Sequence, residues 1–325
     1  MGLMSASLPA VSRLAQPAEA VVGTLSPRVS LPRRHSLHEA MWGWALIAPA
    51  LIFLVVLFFL PVIGVFVIAF SDWQFGASSL SFVGLANFRE VIFDEGFRAS
   101  LINTVVYAVM VVPGTVLAGL LIALLIESSH SCRALYRAVH FLPFMATATA
   151  MAISWEALLH PTIGLINHSL AALGLPVANW LRDETTALPV LAVIGIWQNL
   201  GYAMVLFMAG LKSIPLDLYD AAEVDGADHW LDRLRTVTIP MLGPVSMFVV
   251  IVVALRAFET FDTVQILTQG GPGHSSEMLL YTIYRESFEY LRAGYGAAVA
   301  IVFLAIVVAL TLLQAGRMDK RVHYQ

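Results

Sequence analysis

Charged and hydroxyl side chains interrupt one of the apolar stretches of this chain, over residues 256–265. Four of them recur at i, i+3, i+4 and i+7, the spacing that places side chains on one face of an α-helix: Arg256, Glu259, Thr260 and Thr263. Asp262 and Gln265 lie among them. Burying a charge away from water is costly unless the charge is paired or hydrated. This face is therefore expected to point into a helix bundle or a watery cavity, where it can hydrogen-bond a polar solute.

A second polar group lies in an earlier apolar stretch and combines aromatic rings with side-chain amides: Trp197, Gln198, Asn199 and Tyr202. Amides both donate and accept hydrogen bonds, and aromatic rings cover apolar surface, so this group is a further candidate for solute binding. A structural alternative has equal weight. In that alternative Arg256 forms a structural pair with Glu259.

The longest polar interval between two apolar stretches, residues 212–243, has the pattern of two short helices. Ser213 followed by Pro215 predicts a helix start, and Gly226 predicts its end because glycine adopts a left-handed backbone conformation at no steric cost. Acids dominate the predicted first helix, at Asp217, Asp220, Glu223 and Asp225, and Ala221 and Ala222 supply small side chains. An acidic helix is repelled by an anionic membrane surface, and small residues allow close approach of another protein. The interval is therefore predicted to dock on a cytoplasmic partner.

A second short helix is predicted in the same interval, from Ala227 to Arg235. Its apolar side chains, which are expected to anchor it, are Trp230, Leu231 and Leu234. Pro240 is predicted to end it before the next apolar stretch, because proline cannot donate the helical hydrogen bond.

The elements that position these residues are predicted to cross a membrane. Of the 325 residues 59% are hydrophobic and only 12% are charged, about half the charged share of an ordinary soluble domain. A helix needs about 20 mostly apolar residues to span a bilayer. Six stretches meet that requirement: Trp42–Phe70, Leu101–Ile126, Ala138–Leu159, Leu188–Leu211, Pro244–Thr268 and Tyr295–Ala315. The sequence thus predicts an all-α integral membrane protein with about six transmembrane helices. Leu279–Tyr290 is ambiguous and is compatible with an interfacial helix before the last span.

The distribution of positive charge predicts the orientation. Six spans place both ends on one side, and that side carries 12 Lys and Arg residues against 5 on the other. The positive-inside rule therefore predicts that both termini are cytoplasmic. Residues 1–40, rich in Ser, Pro, Ala and Arg, are predicted to be a disordered cytoplasmic tail. Residues 41–325 then form the transmembrane domain, with 212–243 as its cytoplasmic loop.

Several functions are disfavoured by what the sequence lacks. A phosphate-binding P-loop requires a Gly-Lys pair, and the chain has none. Neither G-x-S-x-G nor H-E-x-x-H occurs, and the nine His residues show no metal-ligand spacing. The single cysteine, Cys132, cannot form an intrachain disulfide, and the net charge of −4 gives no reason to expect nucleic acid. An enzyme, a resident metal or another cofactor bound by this chain is therefore not expected.

The loop 212–243 also resembles a known motif. Asp220-Ala221-Ala222-x-x-x-Gly226, followed by Val237-x-Ile239-Pro240, is similar to the EAA loop of ABC importer permeases. Asp220 stands where that family usually has Glu, and the stretch between Gly226 and Val237 is one residue longer than usual.

Shorter motifs, in order along the chain, resemble the carbohydrate-importer branch of that family, the maltose- and glycerol-3-phosphate-type permeases. They are Phe82-Val-Gly-Leu-Ala-Asn87-Phe88, Asn103-Thr104, Phe141-Leu-Pro143 with Trp155, Gly164-Leu-Ile-Asn167, Phe261-Asp262, Leu267-Thr-Gln-Gly-Gly-Pro272 and Arg321-Val-His-Tyr-Gln325. The resemblance runs from about Trp42 to the end of the chain.

The resemblance implies a type I ABC importer permease fold in the inner membrane of a bacterial cell. It implies a heterodimer with a second homologous permease, two ATPase subunits that hold ATP and Mg, and an extracytoplasmic solute-binding protein. The chain itself is then non-catalytic and forms half of a translocation pathway for a sugar, a sugar derivative or a polyol, glycerol-3-phosphate-like solutes included. The residues implied for ATPase coupling are Asp220, Ala221, Ala222, Glu223, Gly226, Trp230 and Pro240. The substrate-path candidates are Arg256, Glu259, Thr260, Asp262, Thr263, Trp197, Gln198, Asn199 and Tyr202.

Two other classes of function compete with this interpretation. A secondary carrier of small solutes often shows inverted repeats and broken helices at mid-membrane, and the sequence shows neither. An intramembrane enzyme is disfavoured by the missing catalytic motifs. The contacts of residues 256–263 also remain open between the solute and a partner permease.

Overall fold

The computed structural model describes residues 37–77, 79–129 and 131–319, and helices dominate these residues. The helices are α1 Leu37–Leu54, α2 Leu60–Ala69, α3 Ala86–Phe93, α4 Glu95–Ser128, α5 Arg133–Met145, α6 Ala148–Leu158, α7 Leu165–Ala172, α8 Ala187–Lys212, α9 Leu216–Val224, α10 Trp230–Arg233, α11 Ile239–Met241, α12 Gly243–Phe258, α13 Leu279–Tyr284 and α14 Ala293–Asp319. Turns of π-helix lie at Val55–Phe59, Leu234–Thr238, Val264–Thr268 and Arg285–Glu289. These three ranges contain no β-strand, only an isolated bridge between Ser71 and Phe82. The tail predicted over residues 1–40 falls, up to residue 36, outside the described residues.

The described chain divides into two units, 37–59 and 60–319. In the first unit α1 and the π-helical turn after it expose nearly all their apolar side chains, such as Leu46 and Phe58. A helix that is apolar all round and still exposed suits lipid, since its backbone hydrogen bonds are satisfied within the helix.

Four helical stretches are long and apolar enough to cross a membrane: Met41–Ala69, Glu95–Ser128, Ala187–Lys212 and Ala293–Gln314. They contain the first, second, fourth and last predicted spans almost to the residue. Two further pairs of helices pass the same test only together, and counting each pair as one span gives six. The prediction of an all-α membrane protein with about six spans is confirmed on that count.

The third predicted span, Ala138–Leu159, is wrong as a continuous helix. The chain forms α5 and α6, which are bent by 99° at a short break. Ala146 and Thr147 are extended there, and the Thr147 side chain accepts a hydrogen bond from the Ala150 amide at 3.4 Å, which begins a new helix. An internal cap of this kind is hidden in a run that looks uniformly apolar.

The fifth predicted span, Pro244–Thr268, is also interrupted. Helix α12 ends at Phe258, and the chain regains helical form at Asp262, just before the π-helical turn Val264–Thr268. At its other end α12 is bent by 66° from the preceding helical stretch Trp230–Met241. Residues 259–263 therefore do not continue the α12 helix.

Helices α4 and α8 form the centre of the second unit. A Cβ atom at Gly119 of α4 would lie 2.7 Å from the Cβ of Ala203 on α8, so the two helices touch where both side chains are small. Large buried side chains surround this contact, among them Phe207 and Met204 of α8 and Val249 and Val253 of α12. Close approach through small residues is how helices associate when lipid supplies no hydrophobic driving force.

The ambiguous segment Leu279–Tyr290 is buried over its first part, whereas its last residues, such as Phe288 and Tyr290, are exposed. Leu279, Tyr281 and Thr282 of α13 are almost fully covered by the rest of the unit. Glu286, in the following π-helical turn, is also buried, and burial raises the pKa of its carboxyl while the charges of Arg292 and Arg285 oppose the rise.

Candidate functional site

A polar cavity of about 160 Å³ opens beside the centre of the second unit. Its walls come from α4, α6, α8, α12 and the segment that follows α12: Tyr107, Ala148, Gln198, Asn199, Arg256, Glu259, Thr260, Phe261, Asp262 and Thr263. All five substrate-path candidates between Arg256 and Thr263 line it, together with Gln198 and Asn199 of the second candidate group. The structure thus brings together two groups that lie about 60 residues apart in the sequence.

The end of α12 explains how so many polar side chains reach one cavity. Glu259 caps the helix, with its amide bonded to the Leu255 carbonyl oxygen at 3.1 Å, and its backbone then leaves helical geometry. The prediction of a single helical face from Arg256 to Thr263 is therefore wrong. The helix is interrupted over residues 259–261, and Phe261 and Asp262 also line the cavity.

Arg256 lies over two aromatic rings rather than beside an acid. Its guanidinium carbon is 4.7 Å from the ring centroid of Phe144 and 5.3 Å from that of Tyr202, and these two rings stack with their centroids 4.9 Å apart. No ion pair joins Arg256 to Glu259 within the described chain. The intrahelical pair considered as a structural alternative is thus not formed, and the cation remains available at the edge of the cavity.

Two of the predicted substrate-path residues, Tyr202 and Trp197, do not line the cavity. Tyr202 does not line the cavity and instead holds the Arg256 side chain through the stack just described. Trp197 is 39% exposed and packs edge-on against Trp155, with ring centroids 5.4 Å apart, outside the cavity wall. Trp197 is therefore not brought into the site.

Sequence reasoning missed three residues of this region: Tyr107, Phe144 and Ala148. Tyr107 is buried on α4 and fits because a Cβ atom at Gly195 on the facing α8 would collide with the Tyr107 hydroxyl. Phe144 directly follows the Phe141-Leu-Pro143 motif, which was a usable signal for it. Tyr107 sits in a largely apolar helix, where Asn103 and Thr104 are its nearest polar residues, and only the packing of α4 on α8 places it at the cavity.

The loop 212–243, which we call the coupling loop, forms a second candidate site. Helix α9 begins after Pro215 and ends in a Schellman motif, as the Gly226 pattern predicted. The Ala227 amide bonds to the Ala222 carbonyl oxygen at 2.9 Å, and the Gly226 amide bonds to that of Glu223 at 3.0 Å. Gly226 has φ of +94°. This position requires a residue that tolerates a left-handed backbone.

Side chains tie the two halves of the coupling loop together. The Arg233 guanidinium reaches Glu223 at 3.0 Å and also donates to the Ala227 carbonyl oxygen at 3.0 Å. The hydroxyls of Tyr219 and Thr238 are hydrogen-bonded at 3.1 Å. The result is a folded hairpin of helices with an open groove of about 480 Å³ along it. Ala221, Ala222 and Gly226 line that groove, and the Asp220 side chain is exposed.

The second helix of the coupling loop differs from its prediction. It begins at Trp230 rather than Ala227, and Trp230 is 64% exposed, so this ring does not anchor the helix on the loop. Leu231 and Leu234 are half-buried and do. Pro240 does not end the helix either. The helical path continues through α11 to Met241 and bends at Leu242, because Pro240 lies at the start of α11, where no helical hydrogen bond is required of it.

Several residues of the motifs that resemble ABC importer permeases form hydrogen bonds that hold two segments of the chain together. The Asn103 amide donates to the carbonyl oxygens of His274 and Glu277 at 2.7 and 3.0 Å, and Thr104 accepts from the Leu279 amide at 3.0 Å. These three bonds fix the segment before α13 to α4. The fully buried Glu277 in that segment is ion-paired with Arg285 at 2.6 Å.

Two further loops are held by hydrogen bonds from asparagine side chains. Asn87 donates to the carbonyl oxygens of Ala69 and Ser71, both at 2.8 Å. Asn167 donates to the Ala178 carbonyl oxygen at 2.9 Å and accepts from the Trp180 indole at 2.7 Å. A buried amide that satisfies several backbone groups holds an irregular loop without regular secondary structure. The motif asparagines therefore shape the loops between helices and do not face the cavity.

A metal centre was not expected from the sequence. Within residues 37–77, 79–129 and 131–319, no cluster of three or more His, Cys, Asp or Glu side chains has the geometry to hold a metal ion.

Comparison with known proteins gives a consistent result. Residues 92–324 match the family described as "Binding-protein-dependent transport system inner membrane component". A probable ABC transporter permease of Pyrococcus horikoshii is 34% identical over 269 residues, covering 82% of this chain and 92% of that protein. An sn-glycerol-3-phosphate transport system permease of Agrobacterium fabrum is 32% identical over 283 residues, covering 86% of this chain and 96% of its own.

A solved structure agrees in fold. A chain in the crystal structure of a bacterial ABC transporter involved in the import of the acidic polysaccharide alginate matches with a TM-score of 0.77 at 21% identity, covering 87% of this chain and 97% of that one. A second crystal structure, of a bacterial alginate ABC transporter in complex with a periplasmic protein bound to an alginate pentasaccharide, matches with a TM-score of 0.75.

Proposed function

Since the chain belongs to the family of binding-protein-dependent transport system inner membrane components, we propose that its polar cavity is half of a translocation pathway for a sugar, a sugar derivative or a polyol. The chain is a non-catalytic permease subunit of an ABC importer, and a separate ATPase hydrolyses ATP. The observation that carries the proposal is that hydroxyl and amide side chains from α4 and α8 and hydroxyl and carboxylate side chains from the segment after α12 line a single cavity. Each of these groups hydrogen-bonds readily with a hydroxyl of a solute.

A second permease completes the pathway in this proposal. The cavity of about 160 Å³ is well below the roughly 300–1,000 Å³ of pockets that enclose a small ligand. Arg256, Glu259 and Asp262 are exposed on this chain alone, and charges at membrane depth face a bundle interior or a watery cavity rather than lipid. A homologous subunit placed against them supplies the missing wall, which supports a heterodimer.

The coupling loop transmits the movement of the ATPase in this proposal. Its hairpin is held by the Schellman motif and by the Arg233 contacts, so it is stiff enough to pass on a displacement. Ala221, Ala222 and Gly226 line the groove together with Asp225 and Asp232, which makes its surface small and acidic, and the neighbouring Asp220 is exposed. Two ATPase subunits, each with its own ATP and Mg, and an extracytoplasmic solute-binding protein complete the assembly. The coupling loop and both termini then lie on the cytoplasmic side of a bacterial inner membrane.

Replacement of Glu259 by Leu in the complete importer tests the pathway. Glu259→Leu removes a charged acceptor from the cavity wall without filling the cavity, so uptake is expected to fall at least about tenfold, the equivalent of about 1.4 kcal/mol. Assembly and basal ATP hydrolysis are expected to persist, because the 16-residue helix α12 separates Glu259 from the coupling loop and no ion pair joins Glu259 to that loop within the described residues. Uptake into proteoliposomes is the measurement.

Glu289→Leu is the matched control, because Glu289 is also an exposed glutamate but does not line the cavity. Its uptake is expected to equal that of the unmodified importer. Unchanged uptake kinetics in a correctly assembled Glu259→Leu importer would show that the cavity is not the path.

A further inference from the structure

We propose that the polar cavity excludes anionic solutes and admits uncharged or cationic ones, with Glu259 and Asp262 as the residues that determine this selection. The inference rests on the proposed function, because it assumes that the solute passes the cavity. It narrows the substrate class to uncharged polyhydroxylated compounds and amino sugars. Phosphorylated polyols and uronic acids are excluded.

The charges on the cavity wall carry the argument. Two carboxylates, Glu259 and Asp262, face one guanidinium, Arg256. Neither carboxylate forms an ion pair with another group in the described chain, and both are exposed. An anion that enters therefore meets an excess of negative charge that nothing in this chain neutralises. Like charges brought together in a cleft oppose binding strongly, because the low-dielectric walls focus their field.

Arg256 carries one positive charge and therefore offsets only one of the two carboxylates. Its guanidinium is already placed over the faces of Phe144 and Tyr202, where the ring quadrupoles attract the cation. A phosphate or carboxylate that paired with it from the cavity would come close to Glu259, which follows Arg256 by three residues. One negative charge of the cavity wall therefore remains without a compensating cation in the described chain.

The remaining wall suits hydroxyl groups. Ionised carboxylates only accept hydrogen bonds, and a sugar hydroxyl has a proton to donate. Gln198, Asn199, Thr260 and Thr263 add both donors and acceptors around the same volume. The Asn199 amide nitrogen bonds to the Gly195 carbonyl oxygen at 2.9 Å, which turns its amide toward a fixed direction. These side chains together match a ligand that has many hydroxyl groups and no negative charge.

The electrostatic potential of the cavity can be measured with a single reactive thiol in the assembled importer. Cys132 is the only cysteine of this chain and lies outside the cavity, so Cys132→Ser gives a background on which Thr260→Cys places one thiol in the wall. The probes are the cationic trimethylammonioethyl and the anionic sulfonatoethyl methanethiosulfonates. The rate at which each reagent modifies the introduced cysteine is divided by its rate of reaction with a small free thiol, which corrects for the different intrinsic reactivities of the two reagents. Asn199→Cys on the same background is the second reporter, in case Thr260→Cys does not assemble.

The cationic reagent is expected to react at least about tenfold faster than the anionic one, an effect equivalent to about 1.4 kcal/mol. Adding Glu259→Gln and Asp262→Asn together is expected to bring the two rates close to equality, whereas the control Glu289→Gln leaves their ratio unchanged. Equal rates in the parent, or faster reaction of the anion, would overturn the inference and leave the proposed pathway intact. Reaction with neither reagent at both positions, with or without ATP, would show that no watery path reaches the cavity and would overturn both. Uptake of glycerol 3-phosphate by the unmodified importer would overturn the inference alone.

Discussion

The coupling loop closes on itself within a short piece of chain, whereas the polar cavity joins residues from distant helices. The longest side-chain tie in the loop links Tyr219 to Thr238, 19 residues apart, and the cavity wall extends from Tyr107 to Thr263. A locally closed element depends on its own backbone conformation. A cavity between helices depends on how closely the helices pack. The two sites should therefore fail in different ways when they are altered.

The largest expected effect is on the coupling loop. Gly226→Val places a β-branched side chain at φ of +94°, which costs about 1 kcal/mol or more, and its bulk projects into the space that a partner would occupy. Asp220→Lys reverses the exposed charge on the same surface. Both changes are expected to abolish uptake while the protein still inserts and the cavity remains intact.

Gly226→Asn is the matched control for Gly226→Val. Asn tolerates a left-handed backbone, and no atom lies within 4 Å of a Cβ at this position, so most uptake should remain. Uptake and co-purification of the ATPase are the measurements. If both the Gly226→Val and the Asp220→Lys importers showed normal uptake at matched protein levels, the loop would not be the element that couples ATP hydrolysis to transport.

The next effect concerns helix packing around the cavity. A Cβ atom at Gly201 on α8 would collide with the His140 carbonyl oxygen on α5. Because backbone cannot yield as a flexible side chain does, Gly201→Ala is expected to lower the free energy of unfolding by roughly 1–3 kcal/mol and to separate α5 from α8. Thermal unfolding of the purified importer measures this.

A glycine without close neighbours provides the comparison for Gly201. Gly64→Ala on α2 meets no atom within 4 Å and should leave the unfolding temperature within error. If Gly201→Ala were equally harmless, the close contact between α5 and α8 would not hold in the assembled protein.

A smaller effect is expected at the aromatic rings that hold Arg256. Tyr202→Leu removes one of the two rings beneath the guanidinium, and such cation–π contacts contribute about 0.5–2 kcal/mol. Uptake is expected to show a KM raised a few-fold with little change in basal ATP hydrolysis. Tyr202→Phe keeps the ring and should behave as the parent. A Tyr202→Phe importer as impaired as Tyr202→Leu would mean that the hydroxyl matters and the ring does not.

The smallest effect is expected at the ion pair between Arg233 and Glu223 in the coupling loop. Both side chains are well exposed to solvent, and exposed pairs contribute about 0–1 kcal/mol. Glu223→Gln should therefore leave uptake near the parent level, since Arg233 still donates to the Ala227 carbonyl oxygen. A severe uptake defect in Glu223→Gln would indicate that this carboxylate contacts the ATPase directly.

The sequence alone determined the features that depend on composition and on short-range backbone geometry. The long apolar stretches predicted the membrane helices, because crossing lipid requires a run of about 20 such residues wherever it occurs in the chain. Gly226 predicted the end of α9 because the Schellman motif is made entirely of neighbouring backbone groups. The spacing of Arg256 and Thr263 correctly marked a polar region, although their common helical face does not exist.

Only the tertiary structure determined where the helices break and which side chains of different helices contact one another. The Thr147 cap lies in a largely apolar run that does not mark a break. The end of α12 at Phe258 coincides with the polar run that begins at Glu259, but the helical spacing of that run predicted a continuous helix. Tyr107 enters the cavity because Gly195 on another helix leaves room for its ring. Arg256 contacts Phe144 and not Glu259 because the packing of α5 and α12 on α8 brings these two residues together, although they are more than 100 positions apart. Periodicity within one helix carries no information about such a contact.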